Sequence, residues 1–368
     1  MQNVVLGLLA YELTGAAWFV GLLTFAQLGP MLVLSPWGGL LADRFDRRRL
    51  LVAIACTQLV LAGALAVVTL DSTPSKLLIT LLVAGNGIGA ALYVPILTAC
   101  IPALVGSRDI QGAVALNSVA LNGSRIVGPL VGGALAALWS TSAVFALNGA
   151  TFLVAVWALL TVRADFRPVG RPPTSPLADL RDGFRVASTD PVIRRVLVTI
   201  GTYSFCSLVF IYEMPLIASE RLGLDEFGYT LLFATFAVGA AIGALSSGSF
   251  LVAHNRWTVA RVALALFAVG LSTLTLATHP LVAGAGAFVA GLCYFTIVTT
   301  LLTTLQLRAD DSVRGRIMGL WMMAWAGLVP VGALIAGPTI DAVGLVPVLL
   351  TGAGVALVLA VSLRDPSP

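Results

Sequence analysis

Charge is scarce in this chain. Lys, Arg, Asp and Glu make up 10% of 368 residues, where a soluble chain of that length carries about a quarter. A soluble fold of this size has a large surface to wet, so the deficit excludes one. Histidine is scarcer still: His254 and His279 are the only two, and both fall in loops. No nucleophile–histidine pair, metal-ligand spacing or Walker-type phosphate loop occurs, so the sequence predicts no enzyme, no metal, no cofactor and no ATP drive. The four cysteines, Cys56, Cys100, Cys206 and Cys293, all lie in apolar stretches and read as small core residues. The net charge is +4. Its arginines sit in short loops between apolar stretches, which points to membrane topology and away from nucleic acid.

What the chain has in quantity is hydrophobic sequence, 58% of its residues. Uncharged runs cover 50–70, 77–107, 227–253, 280–307, 317–340 and 342–363. Each matches the ~20 residues that a helix needs to cross a bilayer. Turn signals divide the sequence into twelve spans: 1–13, 17–41, 48–70, 77–104, 110–138, 141–162, 192–218, 227–252, 257–278, 281–307, 313–340 and 344–363. The prediction is an all-α protein embedded in the lipid bilayer. The first span supplies only about 17 Å of apolar helix before Tyr11, and Gln2 and Asn3 fall within it. This predicts an incomplete N-terminus.

Lys and Arg set the orientation. Eighteen of the 21 fall on one side, Lys76 and Arg221 on the other, and Arg125 within a span. The arginine-rich side, with both termini, is expected to face the cytoplasm of a cell whose inner membrane holds the protein. The longest loop divides the spans six and six. This predicts an N-terminal six-helix bundle over 1–163, a cytoplasmic linker over 164–195 and a C-terminal six-helix bundle over 196–368. Within the linker, Ser175-Pro176 reads as a helix start. Leu177, Leu180 and Phe184 share one face, as in a short helix lying on the membrane surface. A faint internal repeat relates VGSRDIQGAVALN (105–117) to ADDSVRGRIMGLW (309–321). Two related halves suit a secondary transporter with its site between them.

The densest charge cluster is GGLLADRFDRRRLL, residues 38–51, with six charges in fourteen positions. From Gly39 through Asp43, Arg44, Arg47 and Arg48 it resembles the loop between spans two and three of the major facilitator superfamily, with Asp46 where that pattern has glycine. GPLVGG at 128–133 (Gly128, Pro129, Gly132, Gly133) resembles the motif of the superfamily's proton-antiporter branch. LQLRADDSVRGRIMGLW at 305–321 is similar to its drug and siderophore exporters. The resemblance implies the major facilitator fold of two pseudo-symmetric six-helix bundles, working as a monomer by alternating access. It also implies that Asp43 meets the start of span eleven, 313–316, when the cytoplasmic side is shut. A carboxylate at the end of span two is unfavourable to its own helix dipole and needs such a positive partner.

Candidate site residues follow from charge inside spans. Arg125 lies deep in span five, and Ser118, Asn122, Arg125 and Pro129 share one helical face. A proton-coupled exporter needs a titrating acid. Glu213 in span seven leads, about 27 Å along the helix from Arg195 at 1.5 Å per residue. It could equally snorkel to the surface. Glu12 and Asp341 end spans one and eleven. Tyr203 shares the face of Glu213, while Asn86 and Tyr93 form a polar face on span four. The wider drug–proton pattern of span four has arginine where this chain has Val83. The threonines of span ten (Thr296, Thr300, Thr303) serve a cavity or bind helices together. The expectation is a proton-driven exporter of amphipathic small molecules, drugs or siderophores. The alternatives are an importer or facilitator of the same fold and an inactive, truncated transporter.

Overall fold

The computed structural model describes residues 2–71, 74–104, 120, 124, 127–128, 131–132, 135–136, 138–162, 164, 166, 176–248, 254–309 and 313–363. Thirteen α-helices of nine residues or more can be bounded among them. The first five are α1 (Gln2–Thr14), α2 (Ala17–Arg44), α3 (Arg47–Val68), α4 (Lys76–Leu104) and α5 (Thr141–Thr161). Next come α6 (Pro176–Thr189) and α7 (Pro191–Ser207), then α8 (Glu226–Gly248), α9 (Arg256–Leu276) and α10 (Pro280–Arg308). The last three are α11 (Arg314–Met322), α12 (Leu328–Val343) and α13 (Leu345–Ser362). Ten stretches are long and apolar enough to cross a membrane, and no strand occurs among the described residues. The predicted fifth span lies largely outside them.

Helix starts are written locally. Asp46 accepts from the Arg49 amide at 3.1 Å and caps α3, which accounts for an aspartate where the resembling loops carry glycine. Ser140 caps α5 through the Ala143 amide at 3.2 Å. Asn255 caps α9 through the amides of Trp257 and Thr258. His279 caps α10 through Leu281, with Pro280 at the first helical position. Asp190 does the same for α7, ahead of Pro191. Between α1 and α2, Gly15 takes φ +63°, which any side chain would strain.

The chain forms two compact units, neither of them an uninterrupted stretch. One comprises residues 1–9 and 23–178, the other 10–22 and 179–368. In the first, α3 packs on α4 and α5. Ala42, Leu51, Ile96, Cys100, Leu159 and Phe166 form a buried cluster beneath the α2–α3 loop. Cys56, expected in a core, is instead on the exposed side of α3, whereas Cys100 and Cys293 are buried.

In the second unit α10 is the central helix, flanked by α8 and α9, and α13 packs on α7 and α9. Lipid tails are as apolar as leucine, so close backbone packing and hydrogen bonds must hold such helices together. A Cβ on Gly243 would run into the carbonyl of Leu292, and one on Gly291 into that of Phe236, so α8 and α10 meet backbone to backbone. The hydroxyl of Thr296 donates to Gly243 O at 3.4 Å and to Leu292 O at 2.8 Å, which makes this threonine an interhelical tie. Ser207 donates to Gly352 O at 2.8 Å between α7 and α13.

Candidate functional site

In the basic loop, Arg44 sits exposed in the last turn of α2, where a cation suits the dipole. Arg47 donates from Nε to Ala42 O at 2.9 Å. Arg48 donates to the carbonyls of Val162 and Ala164 and stacks over the Phe166 ring, 4.9 Å from its centroid. Arg48 therefore binds the loop to the end of α5. Gly39 and Asp43 belong to α2, but the Asp43 side chain lies outside the described residues.

In span five, Gly128 and Gly132 are described as partly buried and buried, while Ser118, Asn122, Arg125, Pro129 and Gly133 lie outside the described residues. In α4, Asn86 is buried and donates from Nδ2 to Leu82 O at 3.3 Å. Its own backbone carbonyl accepts from Gln58 Nε2 at 3.3 Å. Tyr93 packs against the buried cluster beneath the basic loop. Sequence reasoning passed over Gln58, and also the bond from Asn148 Nδ2 to Gln2 Oε1 at 2.7 Å. Amide side chains inside apolar helices are the signal that identifies both pairs.

The second unit holds the acids. Span seven is not one regular helix. After α7 the backbone tightens to a 3₁₀ turn over Leu208–Ile211, bends at Tyr212 and Glu213, turns once through Met214–Leu216 and widens to a π turn over Ile217–Arg221. Pro215 explains the break: it has no amide to donate, and its ring clashes with the carbonyl four residues earlier. A second π turn, Met323–Gly327, joins α11 to α12 just ahead of Pro330.

Glu213 lies at the break, fully buried, so it does not snorkel to the surface. Neither carboxyl oxygen has a hydrogen-bond partner among the described residues. The charges that act on it are both acidic, Asp341 and Glu220. Each of those acids does have a donor. Asp341 Oδ1 accepts from the Ala17 amide and Oδ2 from the Trp18 amide, both at 2.9 Å. Glu220 Oε1 accepts from the Tyr11 hydroxyl at 3.1 Å. Glu12 ends α1, exposed, with an interaction of its own. The same unit holds a chain of rings: Tyr203 on Phe267 at 4.9 Å, Phe267 on Phe210 at 5.8 Å and Phe210 on Phe236 at 5.6 Å. Tyr203 is thus part of the packed core, and its hydroxyl has no hydrogen-bond partner among the described residues.

At the other end of the second unit, Asp190 accepts from the amides of Val192 (2.8 Å) and Ile193 (3.1 Å) and from Arg308 Nε at 2.7 Å. Burial alone would raise the Asp190 carboxyl. The Ile193 and Val192 amides and the Arg308 guanidinium outweigh it and hold the group below the usual aspartate value. Arg316 and Asp182 stand 3.8 Å apart between α11 and α6, both partly exposed, a pair of little energetic weight.

Comparison with known proteins agrees with this architecture. Residues 1–365 match the family described as transmembrane secretion effector. The enterobactin exporter of Shigella boydii serotype 18 is 30% identical over 311 residues, 84% of this chain and 74% of that protein. That of Escherichia coli O1:K1 is 29% identical over the same shares. Among solved structures, a mutant of the nucleoside transporter NupG superposes with TM-score 0.74 at 11% identity, over 98% of each chain. A human organic anion transporter gives 0.68 at 18%, over 99% of this chain and 97% of that one. The all-helical fold, the apolar spans and the family match together establish that the chain belongs to the transmembrane secretion effector family of the major facilitator superfamily, a multi-pass membrane transporter and not an enzyme.

Proposed function

We propose that this transporter is a proton-coupled exporter of amphipathic small molecules, working as a monomer by alternating access between bundles 1–163 and 196–368. The observation that carries the reading is Glu213: a buried carboxyl in a membrane span, with acids as its electrostatic neighbours and no hydrogen-bond donor among the described residues. A charge in such a place must be paired, hydrated or neutralised. Protonation neutralises it, and a cycle that alternately hydrates and buries it moves a proton. The break at Pro215 gives span seven a joint at that residue. The direction of transport and the class of substrate rest on the likeness to enterobactin exporters. In this reading both termini face the cytoplasm of the inner membrane. Asp43, backed by Gly39 and the arginines after it, latches the cytoplasmic side, and Gly128, Pro129, Gly132 and Gly133 let span five flex. Arg125, with Ser118 and Asn122, faces the substrate path, while Asn86 ties α4 to α3.

The test is efflux from everted vesicles, with a panel of dyes and siderophores, with and without a proton gradient. Wild type is expected to require the gradient. Glu213→Gln, which fixes the neutral form, should abolish gradient-driven efflux while leaving substrate exchange. Arg125→Ala should weaken both. Efflux by the wild type that ignores the gradient overturns the coupling.

A further inference from the structure

α2 begins without a cap of its own. Ala16 precedes it and has no side-chain oxygen, so its first amides need an acceptor from elsewhere. That acceptor is Asp341, 324 residues away, with one carboxylate oxygen on Ala17 N and the other on Trp18 N. The carboxylate at this helix start complements the dipole. The backbones are pressed together beneath it. A Cβ on Gly337 would lie 2.7 Å from Ala17 O, and one on Gly21 would run into Ala333 O. Ala333, Gly337 and Asp341 follow at four-residue steps on α12, as do Ala17 and Gly21 on α2, so two stripes of small residues interlock under a charged cap. A second tie, Tyr11 to Glu220, secures the end of α1 to the π turn of span seven.

We infer that Asp341 is the clasp of the transporter's outer gate: it holds the α1–α2 hairpin against span eleven while the outer side is shut, and releases it when that side opens. This deepens the alternating-access reading and rests on it. The topology drawn from the arginines puts the α1–α2 turn outside. A clasp made in one state only sets how much of the population occupies that state. Asp341 acts by positioning, since nothing places it on the substrate.

The experiment measures the distance between nitroxide labels on the full chain in lipid nanodiscs. Labels sit at Trp18→Cys and Val343→Cys, both exposed positions, with Cys56 and Cys206 replaced by alanine. Asp341→Ala should enlarge the long-distance population about fivefold, as expected for a lost cap. Asp341→Asn, which keeps one acceptor oxygen, should enlarge it less. A distribution that Asp341→Ala leaves unchanged overturns the clasp. Should that variant fail to reach the membrane, Gly21→Ala attacks the same contact with Asp341 intact, and an unchanged distribution there overturns it equally. Efflux of the label-free protein separates the two readings. If distances respond but efflux ignores the proton gradient, the clasp stands and the proton coupling falls. If efflux follows the gradient and distances do not respond, the clasp falls alone.

Discussion

Asp190 and Glu213 are carboxylates at the two ends of one span, and the protein treats them in opposite ways. Asp190 is given two amides and a guanidinium; Glu213 is given no donor among the described residues. The consequence for Asp190 is a pH dependence with a definite sign. Its folded-state carboxyl lies below the ordinary value of 3.8, so its stabilisation is complete above about pH 4 and is lost as pH falls through the folded value. Asp190→Ala should cost about 1 kcal/mol or somewhat more at neutral pH, the loss of a cap. The deficit should close on acidification, read from thermal unfolding of the purified protein at a series of pH values. The role of Asp190 was legible because the cap and its amides are neighbours in sequence and Pro191 marks the start. Glu213 stood out as a charge in an apolar run, but its burial did not, because exposure is decided by tertiary packing that hydropathy does not record. The capping by Asp341 was least legible of all, since its partners lie at the far end of the chain. The missing acceptor before Ala17 was the only local sign.

Among the helices, glycine separates contact from mere tolerance. Gly243→Ala would drive a methyl into the Leu292 carbonyl and part α8 from α10, an overpacking that costs about 1–3 kcal/mol. It should lower the melting temperature of detergent-solubilised protein. Gly63→Ala in α3 meets nothing within 4 Å and should raise that temperature, by the ~1 kcal/mol that separates glycine from alanine in a helix. Equal behaviour of the two variants would deny that α8 and α10 touch through backbone. Hydropathy alone placed these helices, because the bilayer demands long apolar runs. It could not register the 3₁₀ and π turns after Ser207 and Met322, because a break in hydrogen bonding changes no residue's apolarity. Pro215 and Pro330 were the marks available, and proline also occurs at 95 and 347, where the helix carries on.

For the whole molecule, the distribution of arginine makes an assertion that labelling can check. Phe45 and Ser75 are both exposed loop positions. With Cys56 replaced by alanine, a membrane-impermeant maleimide added to intact cells should label Ser75→Cys and spare Phe45→Cys. The reverse pattern would invert the orientation and remove the proposed outer gate with it. The fold was readable at this scale because twelve apolar runs and a charge-rich loop are coarse features. The compact units are divided after Leu9 and after Leu22, inside continuous helices where no turn residue or change of composition marks a boundary. In the alternating-access cycle proposed above, that placement bears on what must yield. Severing α1 or α2 at those points would strip backbone amides and carbonyls of their partners in hydrocarbon, at several kcal/mol for each group. Parting a hairpin from its clasp exchanges a few bonds for water at the membrane's edge. In that proposed cycle the two rods stay whole, and the bonds from Asp341 to Ala17 and Trp18 are the ones exchanged for water.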